Sequence, residues 1–444
     1  MWSENTAEKT SRPLSRMDRA LLGYQRKNRA TPLGVAYLLR AEGECDLADL
    51  RTAVVDRVTR FPVLAHRVSP PAGRAGWPHW APDTCFDVSA HVREFRLPGG
   101  ADEGDVRAFV AGRCQAPIPL DAPPWELCLV WAPGAAQRYV LFRASHVWLD
   151  GTALNRVLTM LFGAGPAAAP ARWLRAGRVT PGSVALAGGR LLGWATRSGS
   201  LEALARPVAG EHEIYWASTS VDWLRAVGRA YSATVNDVFL VALAGAFDMW
   251  SRPRGASRRL QVLVPVSARR QAENGQLSNF VVGTRVGLPR GAMSPSRQFE
   301  AVRRQTARYR QGTNAGAGER WWFERVPARY GRAAVAMGMD SRRVAVSTSN
   351  LGVLPIPLTI AGRPVSEAIP VPVPVPGQRI FAILGGLGPV ACLGVAIDRG
   401  VPRRATLANL WLAELDRLAR AVGLTALPPR APALPGTATA AQVA

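Results

Sequence analysis

The sequence predicts an α/β protein built from two lobes, and three observations point there. Strand-like and helix-like segments alternate in both halves of the chain. Of the 444 residues, 48% are hydrophobic and 20% charged, a globular composition with apolar surface enough for a sizeable core. The length suits two or three domain-sized units. Disorder as the main state is excluded by the apolar content. A multi-span membrane protein is excluded by the longest clean apolar run, 238–247, which Asp237 and Asp248 close and which is too short to cross a bilayer.

Taken in order, 1–13 reads as a disordered arm. A short helix is expected over 14–24 and a strand over 33–39. Asp46 is a plausible N-cap for a helix to about Arg60, stopped by Pro62. Its apolar positions Leu47, Leu50, Val54, Val55 and Val58 follow helical spacing. A strand at 63–68, a helix at 101–115, strands at 128–131 and 139–144 and a helix from about 152 follow. The Gly/Ala/Pro-rich stretch 163–172 reads as a linker, and 183–206 as a basic helix, either a crossover or a helix on a lipid surface; the crossover is the more economical. Helices near 221–231, 236–250, 295–311 and 404–422 and strands at 261–267, 343–348, 380–384 and 391–397 complete the second half. The run 369–377, with Pro370, Pro372, Pro374 and Pro376 alternating, is expected to be an extended connecting loop rather than a central strand. The expected division is an arm (1–13), an N-terminal lobe (14–172), a crossover (173–213), a C-terminal lobe (214–424) and a disordered tail (425–444).

The formal charge is +23, and all but two of the 55 basic residues, Lys9 and Lys27, are arginine. Arginine suits phosphate recognition, so nucleic acid, an anionic membrane or a phosphorylated ligand are all admitted. The basic pairs, such as Arg303–Arg304 and Arg403–Arg404, are scattered, which favours solvated faces. Five cysteines, odd in number and without a CxxC pair, speak for a reducing compartment and against a disulfide frame or structural zinc. The five histidines show no HxxxH or HExxH spacing, so no metal is expected. The polar start MWSENTAEKTSRP offers no apolar signal region, and a cytoplasmic place is expected.

The chemistry concentrates in Tyr139-Val-Leu-Phe-Arg-Ala-Ser145-His146-Val-Trp148-Leu149-Asp150-Gly151-Thr. A strand leads to a histidine, an acid and a glycine follow, and a helix begins. A neutral imidazole at a strand end can point into a cleft and act as general base. Asp150 can fix the loop through hydrogen bonds or an arginine. Gly151 allows a close approach that a side chain blocks. Alone, a lone His beside a strand is more often structural than catalytic.

The segment resembles the HHxxxDG motif of the acyl-CoA-dependent acyltransferase superfamily of chloramphenicol acetyltransferases, condensation domains and wax ester synthase/diacylglycerol acyltransferases. Further segments resemble the last group in order: Leu14-Ser15-Arg-Met-Asp18, Pro119-Leu120-Asp121-Ala-Pro-Pro124-Trp125-Glu126, Val235-Asn236-Asp237-Val238, Val264-Pro265-Val266-Ser267-Ala-Arg269, Leu277-Ser278-Asn279 and Ser347-Thr-Ser-Asn350-Leu-Gly352. The resemblance covers roughly 14–420. It implies two chloramphenicol-acetyltransferase-like lobes with a tunnel between them. It implies His146 as the general base for direct transfer, Asp150 as a structural acid and Gly151 as the residue keeping the tunnel open. Ser145, Asn236, Asn279 and Asn350 fall on the substrate side.

It implies an acyl thioester, acyl-CoA or a phosphopantetheinyl carrier, as co-substrate, with no bound cofactor. The acceptor is a hydroxyl on a long-chain alcohol, a diacylglycerol or a specialised metabolite. A carrier protein and a peripheral membrane contact stay open as partners, and nucleic acid is disfavoured. The first motif histidine is replaced by Ser145, and the TNVPGP-like turn is only partly matched at 349–352. The alternatives are a condensation-like enzyme using a carrier-protein thioester and a non-catalytic basic protein binding lipid or nucleic acid. Two further signals are weaker. Gly386-Leu-Gly388-Pro-Val-Ala391 mimics a dinucleotide fingerprint but lacks the following helix. Trp321-Trp322-Phe323 between arginines can stack bases or meet a membrane, with packing the better expectation.

Overall fold

The computed structural model describes residues 11–28, 33–71, 76–164, 179–205, 207–251, 253–254, 259–310, 316–325, 327–375 and 377–424. Two six-stranded mixed sheets organise it. In the first, Thr359–Ile360, Arg363–Val371, Gly34–Glu42, Gln137–Ser145, Trp125–Trp131 and Val92–Arg96 lie side by side. In the second the order is Val281–Leu288, Leu260–Ser267, Val346–Asn350, Ile380–Leu387, Val390–Asp398 and His212–Ser220. Each sheet has its own apolar core. Leu39, Trp80, Trp125, Phe142, Trp148 and Leu158 mark the first; Trp223, Phe239, Phe247, Val262, Leu393 and Trp411 mark the second. The arrangement is two α/β lobes, as the alternating pattern predicts.

The helices follow their sequence signals. Ser15 caps Arg16–Lys27 in a capping box with Asp18, Asp46 caps Leu47–Arg60, and Thr234 with Asp237 caps Val235–Trp250. Each supplies a side-chain acceptor to backbone N–H groups that have no partner within the helix. The last of these helices is buried along almost its whole length, which explains its long apolar run. No single described helix is long and apolar enough to cross a membrane; Val221–Ala230 and Val235–Trp250 reach the length only together, across an 88° bend.

Several expectations are corrected. The proline run is not a loop from its start: Arg363–Val371 is a strand, with Ile369 opposite Leu38 and Pro370 opposite Tyr37. On its other side only Thr359–Ile360 pairs, at Pro364 and Arg363. Pro370 thus has a ladder on one side only, opposite Tyr37, and such an edge-like position tolerates proline. The arm ends before Arg12, because Arg12–Pro13 pair with His79 and Trp80 and the Arg12 guanidinium donates to the Leu277 carbonyl. At 63–68 the chain first makes a 3-10 turn, Pro62–Ala65, set up by its leading proline, and the strand is His66–Ser69. The helix expected over 183–206 is Pro181–Gly193. The strand His212–Ser220 reaches back past the 213/214 boundary. Most of the expected linker, 165–172, and the expected tail, 425–444, lie outside the described residues.

The strand Arg363–Val371 belongs by sequence to the second half but hydrogen-bonds into the first sheet. It also crosses the second sheet closely. A Cβ on Gly394 would lie 1.9 Å from the Pro370 carbonyl oxygen, and one on Gly385 2.4 Å from the Tyr37 hydroxyl. A third apolar cluster fills this junction, with Leu38, Leu141, Ile214, Ile369, Cys392 and Ala396.

Candidate active site

The strand Gln137–Ser145 lies between two neighbours in the first sheet and ends where Ser145 pairs with Gly34. His146 is the first residue beyond it, and its backbone N–H donates to the Leu33 carbonyl at 2.9 Å. The turn closes as Trp148 N donates to the Ser145 carbonyl at 3.0 Å. The Ser145 hydroxyl accepts from Val147 N at 3.2 Å and donates to Gln25 Oε1 at 3.4 Å. Ser145 is fully buried and its hydroxyl is engaged by protein on both counts. It holds the turn through Val147 and Gln25.

The His146 ring is half-buried, and its Nδ1 lies 3.0 Å from Asn279 Oδ1. The Asn279 amide nitrogen donates to Asp18 Oδ1 at 3.0 Å, to the His146 carbonyl at 2.8 Å and to the Val147 carbonyl at 3.0 Å. All three are acceptors only, so the amide orientation is fixed and its oxygen faces the ring. The His146 Nδ1 must then carry the proton and donate. In the neutral ring this leaves the Nε2 lone pair free, and among the described residues Nε2 makes no hydrogen bond.

Asp18 anchors this chain from the first helix. It also accepts from Asn279 N at 2.9 Å, Ser278 Oγ at 2.6 Å and its own capping partner Ser15 N at 3.0 Å. Fully buried, it is satisfied by these donors, as a buried carboxylate must be. Burial pulls the Arg12 guanidinium below its usual range, and the charge of Asp18 opposes that shift. Asn279, only 1% exposed, has its amide consumed by protein atoms. Asn279 sits behind the imidazole.

Asp150 caps the helix Gly151–Phe162 through Ala153 N at 2.9 Å. The same carboxylate receives Arg269 at 2.8 Å and Phe280 N at 3.0 Å. Arg269 is buried with it and also donates to the Glu273, Gln276 and Ser278 carbonyls. One buried ion pair thus ties the start of the motif helix to the segment that carries Asn279. At Gly151 an added Cβ would come within 2.4 Å of Leu351 Cδ2. The glycine leaves room here for the end of the Leu351 side chain. Asn155 Nδ2 donates to the Leu351 carbonyl at 2.7 Å.

Asn236 and Asn350 are brought together elsewhere, with Asn350 Nδ2 3.4 Å from Asn236 Oδ1. Asn350 also accepts from Gly352 N at 3.0 Å and so shapes its turn. Neither hydrogen-bonds to His146. Sequence reasoning quoted the segments holding Asp18 and Arg269 without giving these residues roles, and it did not single out Gln25 or Leu351.

Among the described residues no group of three or more His, Cys, Asp or Glu side chains could hold a metal ion. Burial pushes the Cys114 and Cys128 thiols up to about 12, so neither is a thiolate at neutral pH. The segment 386–391 forms the hairpin between two strands of the second sheet, not a nucleotide turn. A cavity of about 380 Å³ lined by Arg40, Leu97, Trp131 and Tyr139 lies towards the opposite end of the His146 strand.

The chain resembles known proteins in sequence and in fold. Residues 14–192 match the wax ester synthase/diacylglycerol acyltransferase catalytic domain. Proteins of Mycobacterium bovis and Mycobacterium tuberculosis named as diacylglycerol O-acyltransferases are 26% identical over 362 residues, covering 72% of this chain and 66% of theirs. The matched part therefore spans just under two thirds of those relatives. Among solved structures, the wax ester synthase/diacylglycerol acyltransferase from Marinobacter aquaeolei VT8 superposes with a TM-score of 0.61 at 19% identity, covering 93% of this chain and 100% of that one. The starter condensation domain of rhizomide synthetase in complex with C8-CoA gives 0.60 at 14% identity, covering 94% and 95%. At these identities the structures show a shared fold.

Proposed function

We propose that the chain belongs to the wax ester synthase/diacylglycerol acyltransferase family, whose catalytic-domain model its residues 14–192 match, and that it transfers an acyl group from a thioester to a hydroxyl acceptor, with His146 as general base. The observation that carries the proposal is the buried relay Asp18–Asn279–His146, which holds the Nδ1 proton on the inner side of the ring. The free Nε2 is then the base. It accepts the proton of the acceptor hydroxyl as that oxygen attacks the thioester carbonyl. The carbon–oxygen bond forms, the tetrahedral intermediate collapses, the carbon–sulfur bond breaks, and the proton passes from Nε2 to the leaving thiolate. One ring nitrogen serves both steps, and no acyl-enzyme is required.

The donor we propose is an acyl-CoA, in keeping with a fold neighbour held with C8-CoA. The acceptor is a long-chain alcohol, a diacylglycerol or a related hydroxyl compound, met in a passage between the lobes. A peripheral place at a membrane belongs to the same reading. The lobe division proposed at 14–172 and 214–424 puts the catalytic motif in the first lobe and Asn279 in the second, so the site is completed only when the lobes are joined.

The test is thiol release and ester formation from acyl-CoAs of graded length with alcohol and diacylglycerol acceptors. His146→Ala should lower turnover by about 10²–10⁴-fold with an unchanged thermal transition. Unchanged turnover ends the assignment. Turnover only with a carrier-protein thioester moves the donor to the carrier while keeping the same base.

A further inference from the structure

The helix Pro181–Gly193 presents an unusual face. Its inner side is firmly seated. Ser183 and Ala187 are buried against Gly318, where an added Cβ would meet the Ser183 carbonyl at 2.2 Å. Trp322 Nε1 donates to the Val184 carbonyl at 3.0 Å, and Arg190 pairs with Glu319 at 2.5 Å. At its C-terminal end Arg285 donates to the Gly193 carbonyl at 2.8 Å and Arg343 to the Trp194 carbonyl. These cations complement the negative end of the helix dipole.

The outward side carries no charge. Leu186 is 66% and Leu192 78% exposed, with Val179 and Leu191 exposed beside them. These four are among nine exposed large hydrophobic residues over the described chain, yet they fall within fourteen positions. A helix held at both ends and along its inner side, with leucines facing water, is an interaction surface rather than a loosely packed element.

The surroundings choose the occupant. Arg197 is exposed just beyond the helix, and exposed Arg325 stacks on the Trp321 ring at 4.3 Å beside Trp322. We propose that this face docks the protein on an anionic phospholipid surface, the leucines entering the acyl boundary and the arginines meeting headgroup phosphates. An apolar helix face rimmed by arginine and tryptophan is what an interfacial helix requires. A second copy is the poorer occupant, since two chains of charge +23 would meet arginine rim to arginine rim. The proposal rests on the peripheral membrane place read above and deepens it by naming the docking face; it does not depend on His146.

The test is sedimentation of the full chain with vesicles of phosphatidylcholine containing phosphatidylglycerol, against vesicles of phosphatidylcholine alone. The expected result is binding to the anionic vesicles that weakens with salt. The double variant Leu186→Ser/Leu192→Ser should bind at least about tenfold more weakly at an unchanged thermal midpoint. Its turnover of a short, water-soluble acyl-CoA and alcohol pair should match wild type, so loss of docking and failure of the acyl-transfer reading are separately visible. Equal vesicle binding by wild type and variant overturns the proposal. So does a wild-type dimer that the variant breaks without any vesicle binding. A variant that loses several degrees of thermal stability, the wild type ignoring vesicles, also overturns it and points to a segment of this chain as the cover.

Discussion

At the residue scale, the site turns on one amide. A histidine one residue past a strand has no fixed tautomer by itself; Asn279 supplies it, and Asp18 fixes Asn279. Removing the amide should disturb the proton and not the substrate. Asn279→Ala is expected to lower kcat by about 10- to 100-fold, the usual effect of losing a group that orients a catalytic ligand or base, with KM little changed. A raised KM with kcat retained would instead return Asn279 to the substrate side. His146, Asp150 and Gly151 were legible in the sequence because they share one short motif with a strand before it and a helix after it. The role of Asn279 was not legible, because its contact to His146 spans 133 positions and nothing in local spacing reports it. The contacts of Ser145 were no more legible: full burial and bonds to Val147 and Gln25 tie it into the turn.

At the element scale, Asp150 does two jobs: it caps the motif helix and neutralises buried Arg269. Breaking such a pair by removing one partner leaves an uncompensated buried charge. Asp150→Ala should therefore cost about 3–5 kcal/mol of stability, read as a lower denaturant midpoint with an unchanged slope. Loss of activity at full stability would contradict that structural role. A helix was legible where a cap preceded a periodic apolar run, as at Asp46. The strand Arg363–Val371 was not, because its prolines argue against pairing unless the neighbouring edge is known to be open. That strand makes a further prediction. On Gly394→Ala the new methyl would meet the backbone oxygen of Pro370 at 1.9 Å, and a backbone atom cannot swing aside as a side chain can. Overpacking by one methyl ordinarily costs about 1–3 kcal/mol, and this position should lie at or above the upper end in a thermal melt. Gly112, whose Cβ would meet nothing within 4 Å, serves as the control and should tolerate alanine.

At the scale of the whole molecule, the two lobes were legible from alternation and composition, but the way they join was not. A strand from the second half completes the first sheet, and three apolar clusters, two of them inside lobes and one at the junction, hold the assembly. Such a body unfolds with acid through the groups it buries, and their shifts set the order. His91 is held below the ordinary histidine range mainly by burial, with its hydrogen bond to the Trp125 carbonyl opposing. His212 is held down in the same way, opposed by the Gln378 carbonyl and by Asp398. Both rings are neutral in the fold, whereas the unfolded chain takes up protons near pH 6.5. Their contribution is therefore complete above that value and is lost as pH falls through it towards the depressed folded values. Glu126 behaves likewise at lower pH. Burial would raise its carboxyl, but the hydrogen bonds and charges of Arg113 and Arg143 outweigh this and lower it. Its contribution is present above about pH 4.3, the ordinary glutamate value, and is lost below. Thermal midpoints measured from pH 8 to pH 3 should thus fall in two stages, the first beginning near neutrality and the second below about pH 4.5. The pair His91→Gln and His212→Gln should flatten the first stage and leave the second, while Glu126→Gln should lower stability at neutral pH and flatten the second. A single decline confined to the carboxylate range in wild type would show that the two imidazoles are not held neutral by the fold.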